Sequence, residues 1–263
     1  MERVTRTTSF SARLKQGENF VGTFQKTPHH HITEVLSLTG MHFVVFDAEH
    51  SSFDMTQLDL CILAARGADF PSLVRISRNA PDAILSALDL GATGILVPHI
   101  RTKGDAIRVS ESAHYLSGSR GFSPSTRAGG YGTRGLDNYM RQADLEVTVI
   151  LQIEDAVALD QLDSIAATPG VAGLFVGRAD LAASMKVSWE DAELDRATQA
   201  VARACANAGI ACGAYLANDR WRSDFSAWGV SFFIVGSDQG GLRTEIARVA
   251  KCFHSDAPPK AAT

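Results

Sequence analysis

Side chains able to do polar chemistry collect just behind short apolar runs. Ala48, Glu49 and His50 follow the run 42–47, which ends in Asp47, and Arg75 sits inside 72–76. Pro98 and His99 follow 94–97; Gln152 lies in 148–153 with Glu154 directly after it, and Asp180 follows 173–176. Glu154 and Asp180 come from different runs, and two carboxylates with open positions around them suit a hard divalent cation such as Mg2+ or Mn2+ that keeps part of its water. Each also reads as an acid opening a helix, where it meets the positive end of the dipole. Arg75 offers a planar fork of donors to a substrate carboxylate or a developing enolate; its other reading is a buried salt bridge to Glu49 or Asp47. His50 has the ring for proton transfer near neutral pH, against a purely structural role. The backbone of Gly177-Arg178-Ala179-Asp180 could turn its N–H groups on a carboxylate at a helix entrance. Ser237-Asp238-Gln239-Gly240-Gly241 reads as a capped turn in preference to a phosphate loop.

These residues need a scaffold that brings run ends together. Eight runs rich in Val, Ile and Phe alternate with segments of helical period: 20–24, 42–47, 72–76, 94–97, 148–153, 173–176, 211–216 and 231–235. Such alternation implies parallel strands with helical crossovers. A count of eight in 263 residues predicts a closed (β/α)8 TIM barrel, whose chemistry gathers at the C-terminal ends of the strands. Pro81-Asp82 opens one helix, and Gly91 and Gly209 follow the ends of two others. The barrel is expected to fill residues 1–253, with 254–263 a mobile tail, and the stretch from about 116 to 144 is a long Gly/Arg-rich connection.

A net charge of -4 without long single-sign runs leaves no footprint for nucleic acid or an anionic membrane, so small-molecule chemistry is favoured. The first twenty residues lack the apolar core of a signal peptide, and no stretch approaches a spanning helix, which predicts a cytoplasmic protein. Cys61, Cys205, Cys212 and Cys252 are dispersed and read as reduced, mostly buried thiols. Of six lysines only Lys26 falls near a strand end, which disfavours a Schiff-base mechanism. His29-His30-His31 imitates a metal cluster, but neighbours at a helix start are not expected all to face one ion.

The ordered motifs FDAEH (46–50), VR (74–75), LDLGATGILVP (88–98), RGFSPSTRAGGYG (120–132), LQIED (151–155) and GLFVGRADLAASM (173–185) resemble the HpcH/HpaI aldolase family over about residues 10–253. These are metal-dependent pyruvate aldolases related to citrate lyase β-type enzymes. The resemblance implies that Glu154 and Asp180 hold a Mg2+, Mn2+ or Co2+ ion acting as Lewis acid. It also implies that Arg75 stabilises the enolate oxygen, that Gln152 contacts the 2-oxo acid, and that the Gly177–Asp180 turn, through the Ala179 and Asp180 N–H groups, receives the substrate carboxylate. His50 is then the base, acting through water. The family pairs this base with an acid matching Asp89, which closes a helix at the far end of the barrel; a neighbouring subunit would have to supply it across an interface that the Gly/Arg loop could share. That pairing predicts a homo-oligomer, in the family a hexamer assembled from dimers; the other reading of Asp89 is a residue of a surface turn. Arg178 stands where many family members have Pro, adding a charge expected to sit beside the carboxylate site and to alter substrate preference.

The activity expected is reversible cleavage of a 4-hydroxy-2-oxo acid to pyruvate and an aldehyde, with hydroxypyruvate as another donor. Two rivals stand beside it: a citrate-lyase-like CoA thioester lyase, for which no basic groove is evident, and a noncatalytic barrel that keeps its metal and 2-oxo acid site.

Overall fold

The computed structural model describes residues 9–255. In chain order these form α1 (Phe10–Lys15), β1 (Phe20–Gln25), α2 (His30–Ser37), β2 (Phe43–Asp47), α3 (Met55–Gly67), β3 (Ser72–Arg75), α4 (Pro81–Asp89), β4 (Gly94–Val97), α5 (Lys103–Ala113), α6 (Leu136–Glu146), β5 (Thr148–Ile153), α7 (Leu162–Ala166), β6 (Gly173–Val176), α8 (Arg178–Met185), α9 (Ala192–Ala208), β7 (Ala211–Leu216), α10 (Arg222–Ala227), β8 (Phe232–Ser237) and α11 (Asp238–Ser255). The strands pair in sequence order, all parallel, and β8 returns to β1, so the sheet closes into the expected eight-stranded barrel.

Strand alternation builds two cores and places the site. Phe43 and Val45 of β2, Leu73 of β3, Leu96 of β4, Ile150 of β5 and Phe175 of β6 belong to one buried cluster with Phe10 and Leu14 of α1. Val44, Phe46, Val74, Ile95, Val97, Val149 and Leu151 belong to the other, shared with the surrounding helices. Because side chains alternate across a strand, the first set fills the barrel and the second packs under the helices. Continuing the inward series by two residues gives Asp47 on β2, Arg75 on β3 and Gln152 on β5, then Glu154 just after it. The polar residues therefore cap the barrel's own core. Gly94 is required by a close approach, since a Cβ there would lie 2.0 Å from the Thr148 carbonyl oxygen.

Helix signals act where the sequence puts them. Pro81 opens α4, and Gly209 ends α9 with φ +68°, a left-handed position that glycine takes without steric cost. The Gly/Arg-rich connection is shorter than its sequence suggests, because α6 occupies about its last third. Its first half folds back on its own subunit: Arg127 reaches Asp59 at 2.7 Å and the Leu90 carbonyl at 3.1 Å, and the Ala128 N–H donates to the Asp89 carbonyl. Of the segment expected as a tail, positions 254 and 255 continue α11, and 256–263 lie outside the described residues. No helix among the described residues is long and apolar enough to cross a membrane.

Arg178 corrects an expectation. It sits at the first position of α8 but turns away from the barrel mouth and is buried among the outer helices. Its guanidinium donates to Thr198 at 2.8 Å and Asp195 at 2.9 Å on α9, and it stacks on Trp189 and Phe225. It is a packing residue tying α8 to α9, and adds no charge to the substrate site.

Candidate active site at the barrel mouth

Four carboxylates meet at the C-terminal ends of β2 and β5, and their cations are unequally shared. Asp47, fully buried, accepts a two-pronged hydrogen bond from Arg75, Nε to Oδ1 at 3.0 Å and Nη2 to Oδ2 at 2.8 Å. Lys26 adds a second cation, Nζ 3.3 Å from Oδ2. Burial alone would raise the Asp47 pKa, but the Arg75 hydrogen bonds and charge, helped by Lys26, hold it below the ordinary carboxylate value. The salt-bridge reading of Arg75 is thus realised with Asp47, and more loosely with Glu49, whose Oε2 lies 3.4 Å from Arg75 Nε. The Arg75 guanidinium also lies over the Phe24 ring at 4.5 Å, so its plane is fixed on two sides.

Glu49 is mostly buried, and its Oε2 has no hydrogen-bond partner. Burial, opposed by the charges of Arg75 and His50 and reinforced by that of Glu154, raises its pKa. Asp155 is served by Arg101 at 3.1 Å and His99 at 3.1 Å, and these hydrogen bonds outweigh burial to lower its pKa.

Glu154 differs from the other three. Its side chain is 2% exposed, yet among the described residues no Arg or Lys ion pair to it is found. Oε1 accepts the His99 backbone N–H at 2.8 Å, and Oε2 accepts a short hydrogen bond from the Gln152 amide. The Gln152 Oε1, buried beside it, has no partner. Gly177 keeps the space next to this pair open, since a Cβ there would come within 3.0 Å of both Glu154 Oε2 and Gln152 Nε2. A carboxylate buried without a permanent counter-charge is costly, and a divalent cation is the group this donor set fits. The oxygen and nitrogen donors of Glu49, His99 and Glu154 lie within 4.8 Å of one another, close enough to share one ion.

The remaining expected residues fall on the same mouth with one exception. Gly177, which lies against Glu154, caps α8, and Ala179 and Asp180 form its exposed first turn. Asp180 lies outside the Glu49, His99 and Glu154 group. The His50 ring is 55% exposed, Nε2 3.6 Å from Glu49 Oε2, so it is reachable by a substrate entering from solvent. Asp89 is elsewhere: it ends α4 at the opposite, N-terminal face, where Arg120 donates to it at 2.8 Å. Within one subunit it does not meet His50.

His99 was legible as a strand-end residue and Asp155 as the last residue of the LQIED motif, but neither had an assigned part; the acids that meet His99 come from other strand ends, Glu49 after β2 and Glu154 and Asp155 after β5, so the sequence around it carries no signal. The 29–31 histidines depart from expectation, because their ring nitrogens do come within 4.8 Å of one another, although His29 Nδ1 already accepts the His31 N–H that starts α2. The Ser237 turn is a cap as expected: Ser237 Oγ accepts from Gly240, while Asp238 accepts the Lys26 and Thr27 N–H groups. Cys61, Cys205 and Cys212 are buried free thiols, and Cys252 is exposed.

Replacing Asp47 by Ala strands the buried Arg75 charge, and loss of one partner from such a pair costs about 3–5 kcal/mol. Because the Asp47 pKa is depressed on folding, its stabilisation is complete above the unfolded carboxylate value of about 4 and is lost as pH falls through the lower folded value. Urea unfolding should therefore give a markedly lower midpoint for Asp47→Ala at pH 7, with the gap from wild type closing in strong acid. An equal midpoint at pH 7 would remove this pair from the structure's support.

The comparisons agree with the barrel fold. A family model described as HpcH/HpaI aldolase/citrate lyase matches residues 21–244. The 5-keto-4-deoxy-D-glucarate aldolase of Salmonella paratyphi C is 34% identical over 249 residues, covering 93% of this chain and 96% of the relative. Among solved structures, an HpcH/HpaI aldolase/citrate lyase family protein from Burkholderia cenocepacia superposes with a TM-score of 0.87 at 28% identity, covering 93% of this chain and 98% of the other. The citrate synthase SbnG gives 0.85 at 27% identity, covering 94% and 98%. With its barrel and its sequence in accord, the chain belongs to the HpcH/HpaI aldolase/citrate lyase family.

Proposed function

We propose that this chain reversibly cleaves a 4-hydroxy-2-oxo acid into pyruvate, or hydroxypyruvate, and an aldehyde. The observation that carries the reading is the buried Glu154 carboxylate without a permanent cation, beside the open cradle at Gly177 and the first turn of α8. Glu154 and Asp180 are the residues assigned to hold a divalent ion, with Mg2+, Mn2+ and Co2+ all compatible with their oxygen donors. When bound, that ion supplies Lewis-acid polarisation of the 2-oxo group.

The chain's own residues account for the rest. The α8 N–H groups at Ala179 and Asp180 are not used by the helix, and at a helix N-terminus they suit the substrate carboxylate. Gln152, whose amide donates to Glu154, is assigned to contact the 2-oxo acid. Arg75, locked by Asp47 and Phe24, presents a fixed positive charge to the developing enolate oxygen. In cleavage, His50 takes the C4 hydroxyl proton through water, the C3–C4 bond breaks with its electrons passing to the enolate, and the aldehyde leaves. A proton returned to C3 gives pyruvate. Lys26 is engaged with Asp47, which favours this route over an iminium.

The aldolase named in the 34% identical relative supports cleavage over thioester chemistry. Chelation by EDTA should abolish pyruvate release from 4-hydroxy-2-oxo acids and Mn2+, Mg2+ or Co2+ should restore it, while borohydride should trap no covalent adduct. Full turnover in chelator with a trapped adduct would make this a lysine enzyme.

The assembly assigned here is a homo-oligomer, a hexamer in keeping with the family, in a reducing compartment such as the cytoplasm that keeps the buried Cys61, Cys205 and Cys212 as thiols. Its support is α11, whose Leu242, Ile246, Val249 and Phe253 are 68%, 60%, 38% and 77% exposed. Their spacing of four, three and four residues lays them along one side of the helix, and a second copy of this chain is the occupant for that stripe. An assembly also gives Asp89 a route to a neighbour's His50. Light scattering should report a multimer for wild type and a smaller species for Leu242→Glu/Ile246→Glu; a wild-type monomer would refute the assembly.

A further inference from the structure

We propose that His99 is itself a ligand of the ion, through Nε2, and that this imidazole biases the site toward transition ions over Mg2+. The inference rests on the reading that an ion binds at Glu154, and adds to it a residue for which the two-carboxylate scheme has no use.

Three observations converge. The first is backbone: His99 has φ +55°, a left-handed conformation uncommon for a residue with a Cβ. That turn aims both its N–H, 2.8 Å from Glu154 Oε1, and its ring, with Nδ1 3.2 Å from the same oxygen, into the acid cluster. The second is the division of labour between the ring nitrogens. Nδ1 lies 3.1 Å from Asp155 Oδ2, whose other partner is Arg101 Nε at 3.1 Å. A histidine that donates one N–H to a carboxylate has its tautomer and ring plane set, and offers the lone pair of its other nitrogen; this is the usual support of a metal-binding imidazole. The third is where that lone pair goes. Nε2 is 3.8 Å from Glu49 Oε1, and the three side chains supply ligand atoms within 4.8 Å of one another. Cis ligands on an ion with bonds of about 2.1 Å are separated by roughly 3 Å, and trans ligands by roughly 4.2 Å, so the 3.8 Å between Nε2 and Glu49 Oε1 falls in the range for one shared ion. The ring is 54% exposed, which leaves it accessible to an ion arriving through the mouth.

Imidazole is a good donor for Co2+, Ni2+ and Zn2+ and a poor one for Mg2+, which prefers oxygen. A site of carboxylates alone discriminates less. His99 would thus set which ion the enzyme carries, and Asp155 with Arg101 would position it.

The test is calorimetric titration of the metal-free full-length protein with Ni2+ and with Mg2+, for wild type and His99→Asn, together with the visible spectrum of the Co2+ form. Asn tolerates a left-handed backbone, so the turn survives, and near-UV circular dichroism checks it. Ni2+ affinity should fall on the order of tenfold or more in His99→Asn with Mg2+ affinity little changed, and the Co2+ bands should shift. Asp155→Asn, which keeps the ring but weakens its support, should lower Ni2+ affinity by about tenfold. An unchanged ratio of Ni2+ to Mg2+ affinity with identical Co2+ spectra would remove His99 from the shell while leaving the ion site standing. Failure of wild type to bind any ion would overturn the site reading as well.

Discussion

A carboxylate that the fold buries but does not neutralise governs this molecule's mouth. Arg75 and Lys26 are spent on Asp47, and Arg101 on Asp155, which leaves Glu154 facing two neutral donors and an imidazole. The alternative of pairing Glu154 with an arginine would fill the space that Gly177 keeps clear. The arrangement is stable as a fold and incomplete as an electrostatic unit, which is the condition for recruiting an ion and, next to it, an anionic substrate.

That condition depends on strand alternation. The same period that buries Phe43, Val45, Leu73 and Ile150 inside the barrel delivers Asp47, Arg75, Gln152 and Glu154 to its rim, so the hydrophobic core and the polar site are consecutive layers of one stack. Asp47 and Arg75 make the boundary between them: a fully buried ion pair seated on Phe24 that fixes where the guanidinium points. A positively charged group held rigidly by buried partners contributes to charge stabilisation without reorganising during the reaction.

Much of this was legible in the sequence, for identifiable reasons. Four strands, β4 to β7, have the bounds expected of them, because runs such as GILV and TVILQI are apolar, β-branched and sharply flanked. The others differ by one or two residues: polar residues continue β1 at Gln25 and β8 at Ser237, while β2 and β3 are each one residue shorter than expected. Helices α1 and α6 escaped notice: α1 has only six residues, too few to show a period, and α6 lies behind a glycine-rich stretch that reads as loop. Strand-end positions identified Glu49, Arg75, Gln152, Glu154 and Asp180 as a group. They could not say which way a side chain turns at a helix start, and so Arg178, at the first position of α8, was misjudged as a site charge when Trp189, Phe225 and Asp195 draw it outward. Which cation serves which acid is likewise a three-dimensional property, invisible until β2, β3 and β5 are set side by side.

The central claim is that Glu154 requires a cation the chain does not provide. The most direct measurement is the paramagnetic resonance signal of free Mn2+ during titration into metal-free wild type and Glu154→Gln. Glutamine keeps the shape and removes the charge, so wild type should deplete the free signal to a saturating plateau while the variant binds at least about tenfold more weakly. Equal depletion by the two proteins would contradict the account, because the ion would then be held without the buried carboxylate.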